Sequence, residues 1–267
     1  MIHSAIFSVA LLAATMSEIP NFDRVLLPMH DGDARGASGS VWKVDEVIVN
    51  GSEEDVTVYP YFFMGSWFEA TVWSLPPGKR LLGVEITQPI GCRNVCSPPH
   101  PGTLLYVKSD EVDRLVMYDR VYEANVDKDN HGAVIPAVHE SRFRKGRTTF
   151  PAIPMSSDFR STLRLYNLTL APQEFSVRVV STTKGEDLVL AAVTLTVPAA
   201  YGVPSFSPLY EVPLRPGYNQ VPIEALLSSL PADGTVRLLV DGASDAEYWA
   251  FVSVTSNRAS RVTVFVP

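Results

Sequence analysis

The stretch GTVRLLVDGASDAEYWAFVSVTSN, residues Gly234–Asn257, decides the fold. It reads as two strands, Val236–Val240 and Glu247–Thr255, joined by a turn rich in Gly, Ser and Asp. In the first, Val236, Leu238 and Val240 alternate with Arg237, Leu239 and Asp241, the two-residue period of a strand with one face in a core. In the second, Ala250, Val252 and Val254 alternate with Trp249, Phe251 and Ser253. Both faces of this strand are largely apolar, which predicts a central strand covered on both sides. The same frame occurs earlier in GTLLYVKSDEVDRLVMYDRVYEAN, residues Gly102–Asn125, which also opens Gly-Thr and closes on Asn at equal length. The echo predicts two related β-domains in tandem, each carrying one such hairpin.

Composition agrees. The chain has 267 residues, 46% hydrophobic and only 19% charged, enough apolar material for two cores and too much for disorder. Its 21 Pro and 16 Gly punctuate short β-rich runs. The expected fold is therefore all-β: two tandem antiparallel β-sandwich domains, Ig-like or jelly-roll-like, with one short helix in the second. The net charge of −7 is uneven: residues 1–140 carry −9, residues 141–160 carry +4 and residues 161–267 carry −2. An acidic chain with one short basic segment lacks the broad basic surface from which nucleic-acid recognition starts.

Residues Ala5–Met16 form an apolar run too short to span a bilayer but suited to the core of a signal peptide, with Ala13 and Ala14 near a cleavage point. Residues 1–17 are accordingly expected to be a signal peptide, although no Lys or Arg precedes the run; a first core strand is the alternative. No later segment could cross a membrane as a helix.

The first domain is expected over residues 24–130. Trp42–Asn50 and Val56–Phe63 read as a hairpin about Asn50-Gly51, followed by Phe68–Leu75, Leu81–Thr87 and the Gly102–Asn125 hairpin. Residues 161–267 repeat this order. Ser161–Asn167 and Phe175–Ser181 again place Asn at the turn, and Leu214-Arg-Pro-Gly217 echoes Leu75-Pro-Pro-Gly78. Pro222–Leu230 is the expected helix, with Ile223, Leu226, Leu227 and Leu230 on one face. Between the domains, residues 131–160 are too apolar for a flexible spacer and should lie packed along the domain surfaces. Their basic run, Arg142 to Arg147, is expected to dock on the acidic first domain and hold the two domains in fixed orientation at low salt. A polyanion site is the alternative.

Three quoted motifs carry a resemblance: Ile135-Pro-x-Val138 leading to Phe143, Phe159-Arg-Ser-Thr-Leu-Arg-Leu-Tyr-Asn167, and the closing Tyr248-Trp-Ala-Phe-Val-Ser-Val-Thr-Ser-Asn257. Over most of residues 24–267 the chain resembles exported bacterial tandem β-sandwich proteins of unknown function. The resemblance implies export and paired sandwiches, and supplies no catalytic residue.

No nucleophile elbow, zinc-binding His-Glu-x-x-His, Walker loop or dinucleotide fingerprint occurs, and no motif asks for a cofactor. The acids cluster in turns such as Glu53-Glu54-Asp55, where solvated surface charge is the ordinary reading. Cys92 and Cys96, in a Pro-rich loop, are expected to form a disulfide that clamps residues 88–101. Metal binding with His100, completed by His131 or His139, is the sharper alternative. Asp127-Lys-Asp129-Asn-His-Gly132 partly matches a calcium loop but has Val138 where the bidentate Glu belongs, so a polar turn outweighs a metal site. Residues 59–73 hold seven aromatics. Most should be core, but Trp67 follows the turn Met64-Gly-Ser66 and, with Tyr61 and Trp73, is the expected ligand surface for a glycan or protein partner. The sequence thus points to an exported, non-enzymatic binding or structural module at the cell surface or beyond it. A carbohydrate-active protein, either a sugar-binding module or a glycosidase with dispersed carboxylates, is the alternative.

Overall fold

A computed structural model describes residues 22–29, 34–35, 41–59, 73–82, 102–125, 132–183, 186–204, 211–231, 234–258 and 261–267. The first half supplies β1 (Phe22–Leu27), β2 (Ala34–Arg35), β3 (Val41–Asn50), β4 (Val56–Tyr59), β5 (Trp73–Leu75), β6 (Arg80–Leu82), β7 (Thr103–Lys108), β8 (Leu115–Glu123), β9 (Ala133–Pro136) and β10 (Val138–His139). The second supplies β11 (Arg147–Pro154), β12 (Phe159–Asn167), β13 (Gln173–Thr183), β14 (Glu186–Val197), β15 (Tyr201–Pro204), β16 (Glu211–Arg215), β17 (Gly217–Pro222), β18 (Thr235–Asp241), β19 (Tyr248–Ser256) and β20 (Arg261–Phe265).

The chain is all-β and antiparallel, arranged as two sandwiches. In the first, one sheet runs β10-β1-β7-β4-β5 and the other β2-β3-β8-β9, with β6 also on β3. In the second, the sheets run β11-β18-β13-β14 and β17-β12-β19-β20. The two halves use the same chain order: β1-β7-β4-β5 matches β11-β18-β13-β14, and β6-β3-β8-β9 matches β17-β12-β19-β20. A two-stranded ribbon, β15-β16, lies between β14 and β17 and has no counterpart among the described residues of the first half.

Each sandwich closes on the apolar faces that the alternation marks. Val25, Leu27, Leu105 and Val107 meet Ile48 and Leu115 in the first. Phe175, Val177, Leu238 and Val240 meet Leu163, Leu165, Ala250 and Val252 in the second. A third cluster joins the halves: Leu26 and Leu104, from the other face of β1 and β7, pack with Tyr166, Trp249 and Phe251 of the second sandwich. The doubly apolar strand expected at Glu247–Thr255 is thus covered by its own core on one face and by the first sandwich on the other.

Several expectations are corrected. The Gly102–Asn125 and Gly234–Asn257 stretches are not hairpins, since β7 and β8 belong to opposite sheets, as do β18 and β19. The same holds for β3 with β4 and for β12 with β13. Each such pair is an arch that crosses the sandwich, so its strands face one another through the core instead of sharing backbone hydrogen bonds. The expected helix at Pro222–Leu230 is a single 3-10 turn, Ile223–Leu226, after which Leu227 is already extended. A nine-residue segment is below the length at which a helix sustains itself, and Pro231 pushes the residue before it out of helical geometry. Residues 131–160 are shared between the halves: β9 pairs with β8 and β10 with β1, while β11 is the edge strand beside β18. The basic run also turns the other way. Arg147 binds Asp241 at 2.5 Å and Lys145 lies 3.4 Å from Glu247, both acids of the second half.

Candidate functional site

The outer face of the β17-β12-β19-β20 sheet positions the site. Along β12 the side chains Arg160, Thr162, Arg164 and Tyr166 share one face, opposite the core residues Ser161, Leu163 and Leu165. Register places Tyr166 beside Trp249 and Tyr218, and Thr162 beside Ser253 and Pro222. One end of this face is therefore aromatic and the other polar.

The aromatic end is the docking surface. Tyr166, Trp249 and Phe251 are buried, with the Tyr166 and Phe251 rings stacked at a centroid distance of 6.0 Å and an interplanar angle of 13°. The Tyr166 hydroxyl donates to the carbonyl of Pro28, a bond from the second sandwich to the first. Burial raises the Tyr166 phenol well above its ordinary range, so it remains a neutral donor.

The polar end stands away from the first sandwich and leaves a cleft of about 350 Å3. The first sandwich contributes an uncharged wall of Met29, Trp42, Val44, Val121 and Ile135. The second contributes Arg160, Thr162, Arg164, Pro222, Glu224, Phe251, Ser253, Thr255 and Val262. Arg164 is held in place: its Nη1 donates to the Tyr218 hydroxyl at 2.7 Å, and its guanidinium lies 5.8 Å from the centre of the Phe251 ring. Tyr218 in turn donates to Gln220 at 2.7 Å. Burial pushes the Tyr218 phenol up, while Arg164 pulls it the other way. Arg160 donates from Nε to Asn257 Oδ1 at 2.8 Å. Glu224 accepts from the backbone N–H of Ser161.

A second polar feature lies farther along the strands that carry the cleft residues Val44 and Val121, on the same sheet face. Glu46 and Asp119 are directly opposed in the β3–β8 register, and both are fully buried. Thr103 donates to Glu46 at 3.3 Å, and the backbone N–H of Met29 donates to Asp119 Oδ2 at 2.9 Å. Burial, and then the charge of Glu46, hold the Asp119 carboxyl well above the usual carboxylate range; the Met29 bond acts in the opposite sense.

Tyr61, Trp67, Cys92, Cys96, Asp127 and Asp129, together with His100 and His131, lie outside the described residues. Trp73 is placed by its backbone alone, paired with Val58. His139 is engaged by Asp23 at 2.8 Å and by the Ser141 hydroxyl at 2.7 Å. Among the described residues no group of three or more His, Cys, Asp or Glu is placed to hold a metal, and no helix is long and apolar enough to cross a membrane.

No protein-family model and no curated protein matches the chain. Among solved structures, the infectious bursal disease virus VP2 subviral particle matches at 11% identity over 92% of this chain and 71% of that one, with a TM-score of 0.19. The infectious bursal disease virus Gt strain structure matches at 10% identity over 92% and 68%, with a TM-score of 0.15. Likeness this low carries no argument about fold or function.

The cleft residues were partly visible in the sequence. Arg160 and Arg164 occupy the polar phase of a strand whose other phase is Leu163 and Leu165, and the aromatics on both phases of β19 announce a covered face. Trp42 gives no such sign, because only the approach of the second sandwich turns it into a cleft wall.

Proposed function

We propose that this chain is an exported, non-enzymatic binding module whose ligand site is the cleft between its two sandwiches. One observation carries the reading: two β-sandwiches dock through an aromatic cluster and leave, on the same sheet face, a cleft with one uncharged wall and one wall bearing two arginines and a glutamate. Ligand sites favour such domain boundaries, where concavity arises without distorting either core. The facing carboxylates Glu46 and Asp119 do not support a glycosidase, because both are fully buried and a substrate has no access to them. Export rests on the apolar run Ala5–Met16 and on the resemblance to exported tandem sandwiches.

The test is a thermal-shift panel of small organic acids, oligosaccharides and peptides against the wild type and Thr162→Trp. That substitution adds bulk to the cleft from the exposed phase of β12. One ligand class should raise the melting temperature of the wild type and leave the variant unmoved. A shift of equal size in both proteins, or none with any class, overturns the cleft as the ligand site.

A further inference from the structure

Resting on the cleft as the ligand site, we infer that its ligand is a small organic anion with an apolar body, its acid group on Arg164 and its body against Trp42, Val44 and Ile135. The charge pattern argues for it. Several arginines of the second sandwich have carboxylates: Arg147 and Arg178 share Asp241, Arg237 has Asp187 and Arg258 has Asp158. Arg144 and Arg261 have no side-chain carboxylate among the described residues but do not line the cleft. Arg160 and Arg164 pair with no carboxylate among the described residues, although Glu224 lies in the same cleft. Glu224 is instead turned onto the Ser161 N–H. The cleft therefore holds two cations and one carboxylate, a net positive charge, with neither arginine tied to that carboxylate by an ion pair.

Arg164 is also pre-oriented. The Tyr218 hydroxyl and the Phe251 ring fix its guanidinium before anything binds, so little side-chain freedom is lost on binding an acid. Arg160 stands four residues along the strand, roughly 13 Å away at the backbone, too far to share a single compact acid group in the same way. It raises the local positive potential at the cleft and draws anions in. The facing wall carries no charge, which favours a ligand with an apolar body over a free inorganic anion. A volume of about 350 Å3 is at the small end of ligand pockets and suits a body of up to three rings or a medium alkyl chain.

The experiment uses the full chain and a matched pair of fluorescent probes, 8-anilinonaphthalene-1-sulfonate and N-phenyl-1-naphthylamine, which share a skeleton and differ in the sulfonate. The wild type should bind the sulfonate at one site and at least about tenfold more tightly than the neutral probe. Arg164→Gln should bring the two affinities within about twofold, while Arg160→Gln lowers both the ratio and the association rate less steeply. In the wild type alone, octanoate should displace the sulfonate and octanol should not, a readout that stands even where Arg164→Gln fails to fold. Equal affinities of the two probes for the wild type, with both lost in Thr162→Trp, would overturn the anionic ligand and leave the cleft as the ligand site. Binding untouched by Thr162→Trp would overturn the cleft itself, and with it the anion reading. A ratio that survives Arg164→Gln would also overturn the assignment of the acid group.

Discussion

Asn50 ends β3 and Asn167 ends β12, and the two side chains make the same set of bonds. Asn50 donates to the carbonyls of Glu54 and Leu75, and its Oδ1 accepts from the N–H and hydroxyl of Ser52. Asn167 donates to Ala171 and Pro198 and accepts from the N–H and hydroxyl of Thr169. Four bonds per amide explain how two fully buried Asn are tolerated. The sequence marks both as turn residues but does not reveal their burial, because the Leu75 and Pro198 carbonyls lie 25 and 31 residues away. Asp119 is the opposite case, since its Oδ1 has no hydrogen-bond partner and Glu46 faces it. Its folded carboxyl holds a proton more tightly than the unfolded chain does. The stability this contributes is complete below the unfolded value of about 3.9 and is lost as pH rises through the raised folded value. Asp241 has the reverse sign: Arg147, and with it Arg178, lowers its carboxyl, so its contribution is lost as pH falls. Asp119→Asn should therefore gain on the wild type as pH rises from 5 to 8, by up to about 1.4 kcal/mol per pH unit. Urea unfolding at both pH values measures this, and a gap that does not change with pH would refute the raised carboxyl of Asp119.

At the scale of the element, strand positions were legible and strand partners were not. The alternation of Leu238 and Val240 against Arg237 and Leu239 gives a strand and its core face, and β18 carries that pattern. The same alternation is compatible with a hairpin and with an arch, because both put the apolar phase inward. Only the long-range register of β18 with β11 and β13, and of β19 with β12, separates the two. The echo between Leu75-Pro-Pro-Gly78 and Leu214-Arg-Pro-Gly217 hides a similar difference. Gly78 sits at φ +69° with open space where a Cβ would go, whereas a Cβ on Gly217 would lie 1.8 Å from the Pro198 carbonyl oxygen. At Gly78 the cost of alanine is the left-handed backbone alone, about 1 kcal/mol. At Gly217 β17 and the Pro198 backbone just beyond β14 must part, at about 2–4 kcal/mol. Equilibrium unfolding of Gly78→Ala and Gly217→Ala should rank them in that order; equal losses would mean that β17 and the Pro198 backbone are not in close contact.

For the whole molecule the question is what holds the sandwiches together. The charge distribution suggested an electrostatic answer, with the basic run docked on an acidic first half. The contacts give a different one. Leu26, Leu104, Tyr166, Trp249 and Phe251 form an apolar cluster, and fully burying each large side chain is worth about 1.5–3 kcal/mol. The ionic tie across the halves is narrower: Arg24, held by Glu140 at 2.8 Å, reaches Glu247 of the second half at 2.9 Å. Burial acts against the charged form of Arg24, and these two carboxylates outweigh it, leaving its pKa raised. Salt weakens partly exposed ion pairs as the Debye length shortens, but leaves apolar contact intact or strengthened. The radius of gyration from small-angle scattering should therefore stay constant between about 0.05 and 1 M sodium chloride. Tyr166→Asp places a carboxylate among these apolar side chains and removes the bond to Pro28, while the core of the second sandwich on the opposite face of β12 is untouched. That variant should scatter as two domains without fixed orientation and should lose cleft binding at the same time. If the wild type instead expands as salt rises, the Arg24 contacts carry the docking, and the cleft would open and close with ionic strength.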